Sequence, residues 1–440
     1  MVREQVVAQV VALDDDPTGA QTLADVRVLL AWDPDAVRRA LLGRRAVHLI
    51  TNARALPEAE AGRVTAAAAA AASAGAPDAH VLLRGDSTLR GHIRAELEAL
   101  RDVVDPTGVA PLLLVPALPA AGRVTVGGVH LLERNGSRVP LHKTEYASDG
   151  VFAYSDAGLL AWAEERTGGL LPARLGRELP LAELRAHGAD RVAEIIGELC
   201  SLGRAAAFAP DAETLADLEL IAAGYAQAAA SGARALVRCA PAFVGVLSGT
   251  TAPDLVPAPH GAGLLVVCGS YVPGATRQLG RLVEEHPAAL IEADVHALAS
   301  AGAADEISRL AREASARIRA GGLAIVATPR ERPASLRTLG AGESIAAGLA
   351  AVAAHVEPHP RVIVAKGGIT SAVTLKHGVG ADGADVIGPV LPGVSRWLAS
   401  WPDGVALDYL VVPGNVGDDD LLRSLVALVL KGSRHAQPIS

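Results

Sequence analysis

Short apolar runs alternate along the chain with longer amphipathic segments, and this pattern governs the predicted fold. The runs are rich in Val, Leu, Ile and Ala and span about four to eight residues, which is typical of strands buried on both faces of a parallel sheet. The segments between them, such as residues 57–74 and 212–230, have the length and composition of helices. The alternation therefore predicts βαβ units.

The apolar runs form two series. Strands are predicted in the first series near residues 6–13, 26–30, 46–51, 80–83, 111–115, 205–209 and 235–238, and in the second near 264–268, 288–292, 323–327, 361–365, 384–387 and 407–412. The segment 248–263 between the series is rich in proline and glycine and has no periodicity, which is typical of a linker. We expect two α/β domains with largely parallel sheets, residues 1–250 and 251–440, and an active site in the cleft between them.

Composition narrows the class of function. Half of the 440 residues are hydrophobic, which is enough for sizeable cores. A net charge of -8 and an aromatic content of 3% argue against nucleic acid as a partner. The three cysteines are far apart and fit neither a disulfide framework nor a zinc site, which favours the cytoplasm. With no signal peptide or membrane span indicated, we expect a soluble cytoplasmic protein.

Charged residues follow three predicted strands of the first domain, in LDDDPTG (13–19), TNAR (51–54) and RGDSTLRGH (84–92). The carboxyl ends of parallel strands line one crevice, so these loops are expected to converge. Two adjacent carboxylates about 6 Å apart repel by roughly 3 kcal/mol at an effective dielectric of about 20, so cations are needed nearby unless the loop is simply solvated. Arg54, Arg84 and Arg90 could neutralise the aspartates or grip an anionic substrate.

The segment after the strand at 80–83 adds further polar groups. Asp86 offers acceptors, and Ser87 and Thr88 offer hydroxyls. The following TLRGHIRAELEAL stretch predicts a helix with Ser87 or Thr88 as its N-cap. Each of these residues also has a simpler interpretation as a cap or a surface ion pair.

Three loops of the second domain are rich in small residues: GSYVPGATRQL (269–279), KGGITS (366–371) and PGNVG (413–417). Small residues leave backbone N–H groups open, and a helix that begins just beyond them adds its positive dipole end, which suits phosphate. The P-loop pattern GxxxxGK[ST] and the dinucleotide pattern GxGxxG are absent. Lys366 also stands out, because the chain has only four lysines. The loops predict a phosphate site.

A carboxylate and arginine site in one domain and a phosphate site in the other are what a two-domain kinase needs. Several motifs together resemble the four-carbon acid sugar kinase family, in the same order and across nearly the whole chain. They are LDDDPTGAQT, LLRGDSTLRGH, LHKTEYASDGVFAYSDAGLLAW, RCAPAF, CGSYVPGATRQL, KGGITS, PGVSRW and PGNVG. The resemblance implies a kinase that uses ATP and Mg²⁺ to phosphorylate a hydroxyl of a sugar acid such as threonate, erythronate or a 3-oxo-tetronate. A homodimer is compatible with it.

The resemblance and the strand-end pattern together assign candidate site residues. The candidate catalytic residues are Asp15, Asp16 and Asp86, and the candidate substrate-binding residues are Arg54, Arg84, Asp86, Ser87, Thr88 and Arg90. The candidate nucleotide-binding residues are Ser270, Thr276, Lys366, Gly367, Gly368, Ile369, Thr370, Ser371, Gly393, Gly414, Asn415 and Gly417. Many family members read ADDLTG and GGETS where this chain has DDDPTG and KGGITS. The metal ligands, the general base and the particular tetronate therefore stay open.

Two other interpretations remain. Asp14, Asp16 and Thr18 also fit the DxDxT start of haloacid-dehalogenase-type phosphatases, in which the first aspartate is the nucleophile. That class needs a lysine and a later acidic pair in the same domain, where Lys143 is the only lysine. A non-catalytic sugar-acid-binding regulator is the other alternative, and it should carry a DNA-binding or partner module, of which the sequence shows no sign.

Overall fold

The computed structural model describes residues 8–20, 22–134, 136–252, 254–260, 263–331, 333–336, 339–414 and 416–433. The chain divides into two compact units, Met1–Thr251 (unit 1) and Ala252–Ser440 (unit 2). Both units are α/β, in agreement with the predicted fold class.

Unit 1 is built on a parallel sheet with helices between its strands. In chain order its elements are β1 (Val10–Asp14), β2 (Val26–Leu29), α1 (Pro34–Leu41), β3 (Ala46–Ile50), α2 (Glu58–Gly75), β4 (His80–Arg84), α3 (Ile93–Val104), β5 (Leu112–Val115), β6 (Arg123–Val126), β7 (Val129–Arg134), β8 (Ser137–Pro140), α4 (Leu159–Arg166), β9 (Arg177–Leu179), α5 (Leu181–Cys200), β10 (Ala207–Pro210), α6 (Leu215–Ala230), β11 (Leu236–Cys239) and α7 (Pro241–Ser248). The strand order is β2-β3-β1-β4-β11-β5-β10-β9, and every neighbouring pair is parallel. A separate antiparallel sheet has the order β6-β7-β8.

Burial explains which strands the sequence predicts well. β1, β3, β5 and β11 are buried at every position and consist mainly of apolar residues, with Asp14, His48 and Arg238 as the exceptions. β6, β7, β8 and β9 were not predicted: the last three carry charged residues at exposed positions, and none of the four is a continuous apolar run. Strands that lie at a surface lack the continuous apolar signal that marks a central strand.

Unit 2 has a mixed sheet. Its elements are β12 (Leu264–Cys268), α8 (Pro273–Glu285), β13 (Leu290–Glu292), α9 (Val295–Leu298), α10 (Ala303–Gly321), β14 (Leu323–Ala327), α11 (Leu339–Ala354), β15 (Val362–Lys366), α12 (Gly368–Val373), β16 (Gly383–Leu391), β17 (Val394–Ser400), β18 (Ala406–Val412) and α13 (Leu421–Ser433). The order is β13-β14-β12-β15-β18-β17-β16; the first five strands are parallel, and β17 and β16 are antiparallel additions. The sequence did not predict β17, which alternates buried and exposed positions over part of its length.

The register of the strands aligns their carboxyl ends. In unit 1, Asp14 on β1 pairs with Ile50 on β3 and with Arg84 on β4, and Arg84 pairs with Cys239 on β11. In unit 2, Lys366 on β15 pairs with Cys268 on β12 and with Val412 on β18. Each unit therefore brings several strand-end loops to one edge of its sheet. Among the helices described, none is long and apolar enough to cross a membrane.

Candidate functional site

Charged residues lie at or just beyond the carboxyl ends of four adjacent strands of unit 1, and we call this set the charged edge. It comprises residues 14–16 after β1, Arg54 after β3, residues 84–90 after β4 and Arg238 at the end of β11. Arg54 pairs with Asp16 and lies 3.2 Å from Asp86, measured from Nη1 to Oδ2. Arg90 Nε donates to Asp86 Oδ2 at 2.7 Å. The arginines thus supply the countercharges that the three consecutive aspartates require.

Asp14 anchors the charged edge from inside the protein. Its side chain is fully buried, pairs with Arg84, and lies 2.8 Å from His48, measured from Oδ2 to Nδ1. Arg84 is also buried and donates to the carbonyl oxygens of Gly85 and Asp16. Gly19 is required beside this pair, because a Cβ at that position would collide with Asp14 and Arg84. A carboxylate enclosed in this way is poorly placed as the nucleophile of a phosphatase.

Asp15 differs from Asp14 and Asp16 in its hydrogen bonding. The residue is 1% exposed, and neither carboxylate oxygen accepts a hydrogen bond from any residue that the structure describes. The nearest cationic atoms are Arg84 Nη2 at 3.4 Å from Oδ1 and Arg238 Nη2 at 4.0 Å from Oδ2. Burial raises the pKa of Asp15 to about 6, although Arg54, Arg84 and Arg238 oppose the rise. A buried carboxylate that titrates near neutral pH suits a general base.

Asp86 has the opposite electrostatic environment. Burial favours its neutral form, but Arg54 and Arg90 outweigh burial and hold the pKa of Asp86 well below its usual range. Asp86 therefore stays ionised at neutral pH and organises the two arginines. This environment suits the predicted substrate-binding role better than the predicted catalytic one.

The prediction that Ser87 or Thr88 caps the following helix is wrong. The helix α3 begins only at Ile93, after His92, because Leu89 (φ +66°) and Gly91 (φ +137°) turn the chain before it. The Thr88 hydroxyl donates instead to Asp86. Two side chains from elsewhere in unit 1 bind the backbone of this loop. His130 Nε2 donates to the Ser87 carbonyl at 2.9 Å, and the Tyr154 hydroxyl donates to the Thr88 carbonyl at 3.0 Å.

Sequence reasoning missed Arg238 of the charged edge and two residues that contact this edge, His48 and Glu96. Arg238 is 6% exposed and lies within the otherwise apolar strand β11, so a charged residue inside a buried run was the available signal. Glu96 gave no such signal, because glutamates are common on amphipathic helices such as α3.

Three loops of unit 2 meet at the carboxyl ends of β12, β15 and β18, and we call this set the glycine edge, comprising residues 269–270, 366–371 and 413–414. A Cβ added at Gly367 would lie 3.4 Å from Ser270 Cβ, and one added at Gly414 would lie 3.4 Å from Ser270 Oγ. Gly367 has φ +107°, a conformation that favours glycine, and its N–H donates to the Val412 carbonyl at 2.8 Å. The structure thus brings together three of the predicted nucleotide-binding positions.

Within KGGITS, the polar side chains hold the loop. Lys366 is fully buried, and its Nζ donates to the Pro413 carbonyl at 2.6 Å. Burial lowers the pKa of Lys366 to about 8. The Ser371 hydroxyl donates to the Gly367 carbonyl at 2.8 Å, and Thr370 is buried. Ile369, by contrast, is 50% exposed at the start of α12, next to Gly368.

Of the remaining nucleotide candidates, those that the structure describes also lie in unit 2. Thr276 lies half-buried in the first turn of α8. Gly393 forms the turn between β16 and β17, where a Cβ would collide with Val416, and Gly417 has φ +81°. Asn415 lies outside the described residues. Arg330, which the sequence analysis missed, follows β14 and donates to the Ser270 carbonyl at 3.1 Å.

The fold and the two edges define a two-domain α/β protein with one charged and one glycine-rich edge, and comparison with known families identifies both domains. Residues 10–247 match the model of the sugar-binding N-terminal domain, and residues 265–422 match that of the nucleotide-binding C-terminal domain. The chain therefore belongs to the four-carbon acid sugar kinase family.

Individual relatives extend this comparison. The chain is 30% identical to a D-erythronate kinase of Heliobacterium modesticaldum over 274 residues, which cover 61% of this chain and 57% of that protein's length. Two crystal structures share the fold at low identity. A Haemophilus influenzae protein has a TM-score of 0.65 at 19% identity, covering 96% of this chain and 100% of the other. A Salmonella typhimurium LT2 protein has a TM-score of 0.68 at 18% identity, covering 94% and 98%.

Proposed function

We propose that this protein is an ATP-dependent kinase that phosphorylates a hydroxyl of a four-carbon sugar acid, bound by unit 1. The observation that carries the proposal is Asp15, a buried carboxylate with two unused oxygens among three arginines. A substrate hydroxyl that donates to Asp15 would satisfy one of these oxygens and place its proton on a group that can accept it. The similarity to a D-erythronate kinase supports a tetronate as the acceptor.

The arginines of the charged edge divide into two groups. Arg84 is buried and bound to Asp14, so it stabilises the loops. Arg90 is the more accessible, at 25% exposure, and Arg54 is at 16%. We assign the substrate carboxylate to Arg90, with Arg54 beside it, because a guanidinium can donate two parallel hydrogen bonds to a carboxylate.

The glycine edge is the proposed site for the phosphates of ATP. Gly367, Gly368 and Gly414 have no side chains that would keep a phosphate away from the loops. Because the Gly367 N–H is bonded to the Val412 carbonyl, the candidate donors are the N–H groups that follow it in the loop. Lys366 adds positive charge directly beneath the loop, and phosphoryl transfer depends mainly on such positioning and charge neutralisation.

Protein ligands for Mg²⁺ do not fit the charged edge. Asp14, Asp16 and Asp86 are each paired with arginine, and Asp15 lies among three guanidinium groups, an environment that repels a cation. In the described parts of the chain, no group of three His, Cys, Asp or Glu side chains is arranged to hold a metal ion. Mg²⁺ commonly relies on nucleotide phosphates and water for most of its ligands, so we expect it to arrive with ATP.

A coupled assay of ADP formation against threonate, erythronate and their 3-oxo forms tests this function. We expect turnover that needs both ATP and one of these acids. Two results would overturn the proposal: phosphate release from a phosphorylated sugar acid without ATP, or a phosphoryl adduct on Asp14 in mass spectra after incubation with that compound. Both results would instead support the phosphatase interpretation.

A further inference from the structure

The RCAPAF motif at residues 238–243 has no part in the function described so far, yet its first residue lies at the charged edge. Arg238 and Glu96 form a buried ion pair, with Nη1 and Oε2 3.0 Å apart and the two side chains 6% and 4% exposed. The other terminal nitrogen, Arg238 Nη2, has no hydrogen-bond partner among the residues described and lies 4.0 Å from Asp15 Oδ2. The pair therefore connects α3 to the carboxylate that we propose as the base.

Two glycines fix Arg238 in this position. A Cβ at Gly85 or at Gly91 would lie 2.6 Å from Arg238 Nη2, closer than non-bonded atoms approach. The backbone of the 84–92 loop therefore packs directly on the guanidinium, which leaves it little freedom to turn away from Asp15. A Cβ at Gly91 would also lie 3.4 Å from Glu96 Oε2 and 3.7 Å from Asp15 Oδ2. The side chains of Arg238, Glu96 and Asp15 therefore all lie close to Gly91.

We propose that Glu96 and Arg238 are positioning residues that act through Asp15 and set the pH at which it gains its proton. Glu96 partly neutralises Arg238 and so weakens the attraction of Arg238 for the ionised form of Asp15. The two residues thereby pull the protonation equilibrium of Asp15 in opposite directions. An effect of Glu96 and Arg238 on catalysis rests on the proposed function, but their effect on the protonation of Asp15 does not.

The charged groups around Asp15 come from its own loop and from the four elements that pack on it. They are Asp14 and Asp16 on the same loop, Arg54 after β3, Arg84 on β4, Glu96 on α3 and Arg238 on β11. The negative charge of Glu96 raises the pKa of Asp15 and the positive charge of Arg238 lowers it, which agrees in sign with the proposal. Glu96 binds Arg238 Nη1, and Arg238 Nη2 faces Asp15, so the contacts of the pair lead to Asp15 and its effect is expected through that carboxylate.

Neutral replacements of Glu96 and Arg238 should shift the pKa of Asp15 in opposite directions. Glu96→Gln should lower the pKa of Asp15 by roughly one pH unit, because it removes a negative charge and leaves Arg238 unpaired. Arg238→Gln should raise it by a similar amount. The double variant Glu96→Gln/Arg238→Gln should return it close to the parent value, and it also avoids leaving one buried charge without its partner. Glu98→Gln is the matched control, since Glu98 lies on the same helix in a half-exposed pair with Arg94.

The measurement uses linkage and needs no kinase activity. Asp15→Asn is introduced into the unmodified protein and into each variant above. The free energy of unfolding of every protein is measured by urea denaturation from pH 4 to pH 9, and the value of each parent is subtracted from that of its Asp15→Asn derivative. This difference should rise with pH and flatten at the pKa of Asp15 in the folded protein. In a second measurement, the acid limb of the pH profile of kcat/KM should move by the same amount.

The outcomes separate the two proposals. Opposite shifts in the two single variants, with no shift in Glu98→Gln, support the positioning role even if no sugar acid is phosphorylated. If circular dichroism shows both single variants folded and the flattening point stays fixed, or moves the same way in both, the role is overturned. If only one single variant folds, its shift decides: a shift in the predicted direction supports the role, and no shift or the opposite shift overturns it. If neither folds, a flattening point in the double variant more than one pH unit from the parent overturns the role.

Discussion

The two strand edges share one architecture but have opposite chemistry. The charged edge of unit 1 has four aspartates and four arginines within a few loops, and most of these side chains bind one another. The glycine edge of unit 2 has backbone groups, hydroxyls and one buried lysine. In the first, the side chains hold one another in place. In the second, the absence of side chains leaves room for a ligand. Substitutions should therefore act differently at the two edges.

Asp15→Asn tests the charged edge with the largest expected effect. Because the amide keeps the shape of the carboxylate but cannot accept a proton, kcat/KM should fall at least about a hundredfold, the low end for loss of a general base. Steady-state kinetics at saturating ATP measure this. ADP affinity, measured by calorimetry, should not change, and a loss of less than tenfold would show that the base lies elsewhere.

Arg84→Gln and Arg90→Gln should separate stability from binding within that edge. Arg84 is buried against Asp14, so its loss leaves a buried carboxylate without its cation and should cost about 3 kcal/mol of unfolding free energy. This cost is measured by urea denaturation. If Arg84→Gln keeps the parent stability, the anchoring role of the Asp14 pair is wrong.

Arg90 is more exposed, and its replacement should affect ligand affinity instead. We expect Arg90→Gln to weaken sugar-acid binding by about 2 kcal/mol, the size of a lost charge-assisted pair, with only a small change in stability. Calorimetric titration with erythronate measures the affinity. An unchanged dissociation constant would remove Arg90 from the substrate site.

The sequence predicted the two edges unequally, for a physical reason. Central strands are buried on both faces, so their apolar runs located β1, β4, β12 and β15 to within a few residues. Parallel pairing then requires their loops to meet, which is why Asp16 and Arg54 could be placed together. The sequence could not show which charges would bind each other. The sequence did not show that Arg84, predicted to bind substrate, forms a buried pair with Asp14. Glu96 gave no local signal because its partner Arg238 is 142 residues away.

Gly414→Val tests the glycine edge without a change in charge. The Cβ itself fits at 3.4 Å from Ser270 Oγ and Val272 Cγ2, so the fold should survive, but the branched side chain would fill the space proposed for phosphate. We expect the dissociation constant of ADP to rise at least about tenfold, or roughly 1.4 kcal/mol. Gly280→Val, on an open face of α8, is the control. Equal ADP affinity in both variants would contradict the phosphate site.

Lys366 gives the smallest expected effect and the only one at the glycine edge that depends on pH. Its pKa is lowered from 10.5 to about 8, so above pH 8 the folded protein loses this charge while the unfolded chain keeps it. ADP affinity should therefore fall a few-fold between pH 7.5 and 9, because the phosphates lose a nearby cation. Stability should change in the opposite direction, since relief of a buried charge makes unfolding harder as pH rises from 8 to 10.5. Lys366→Met, which keeps the length of the side chain but has no proton to lose, should abolish both trends. If ADP affinity falls equally in Lys366→Met, the lysine is not the group that links nucleotide binding to pH.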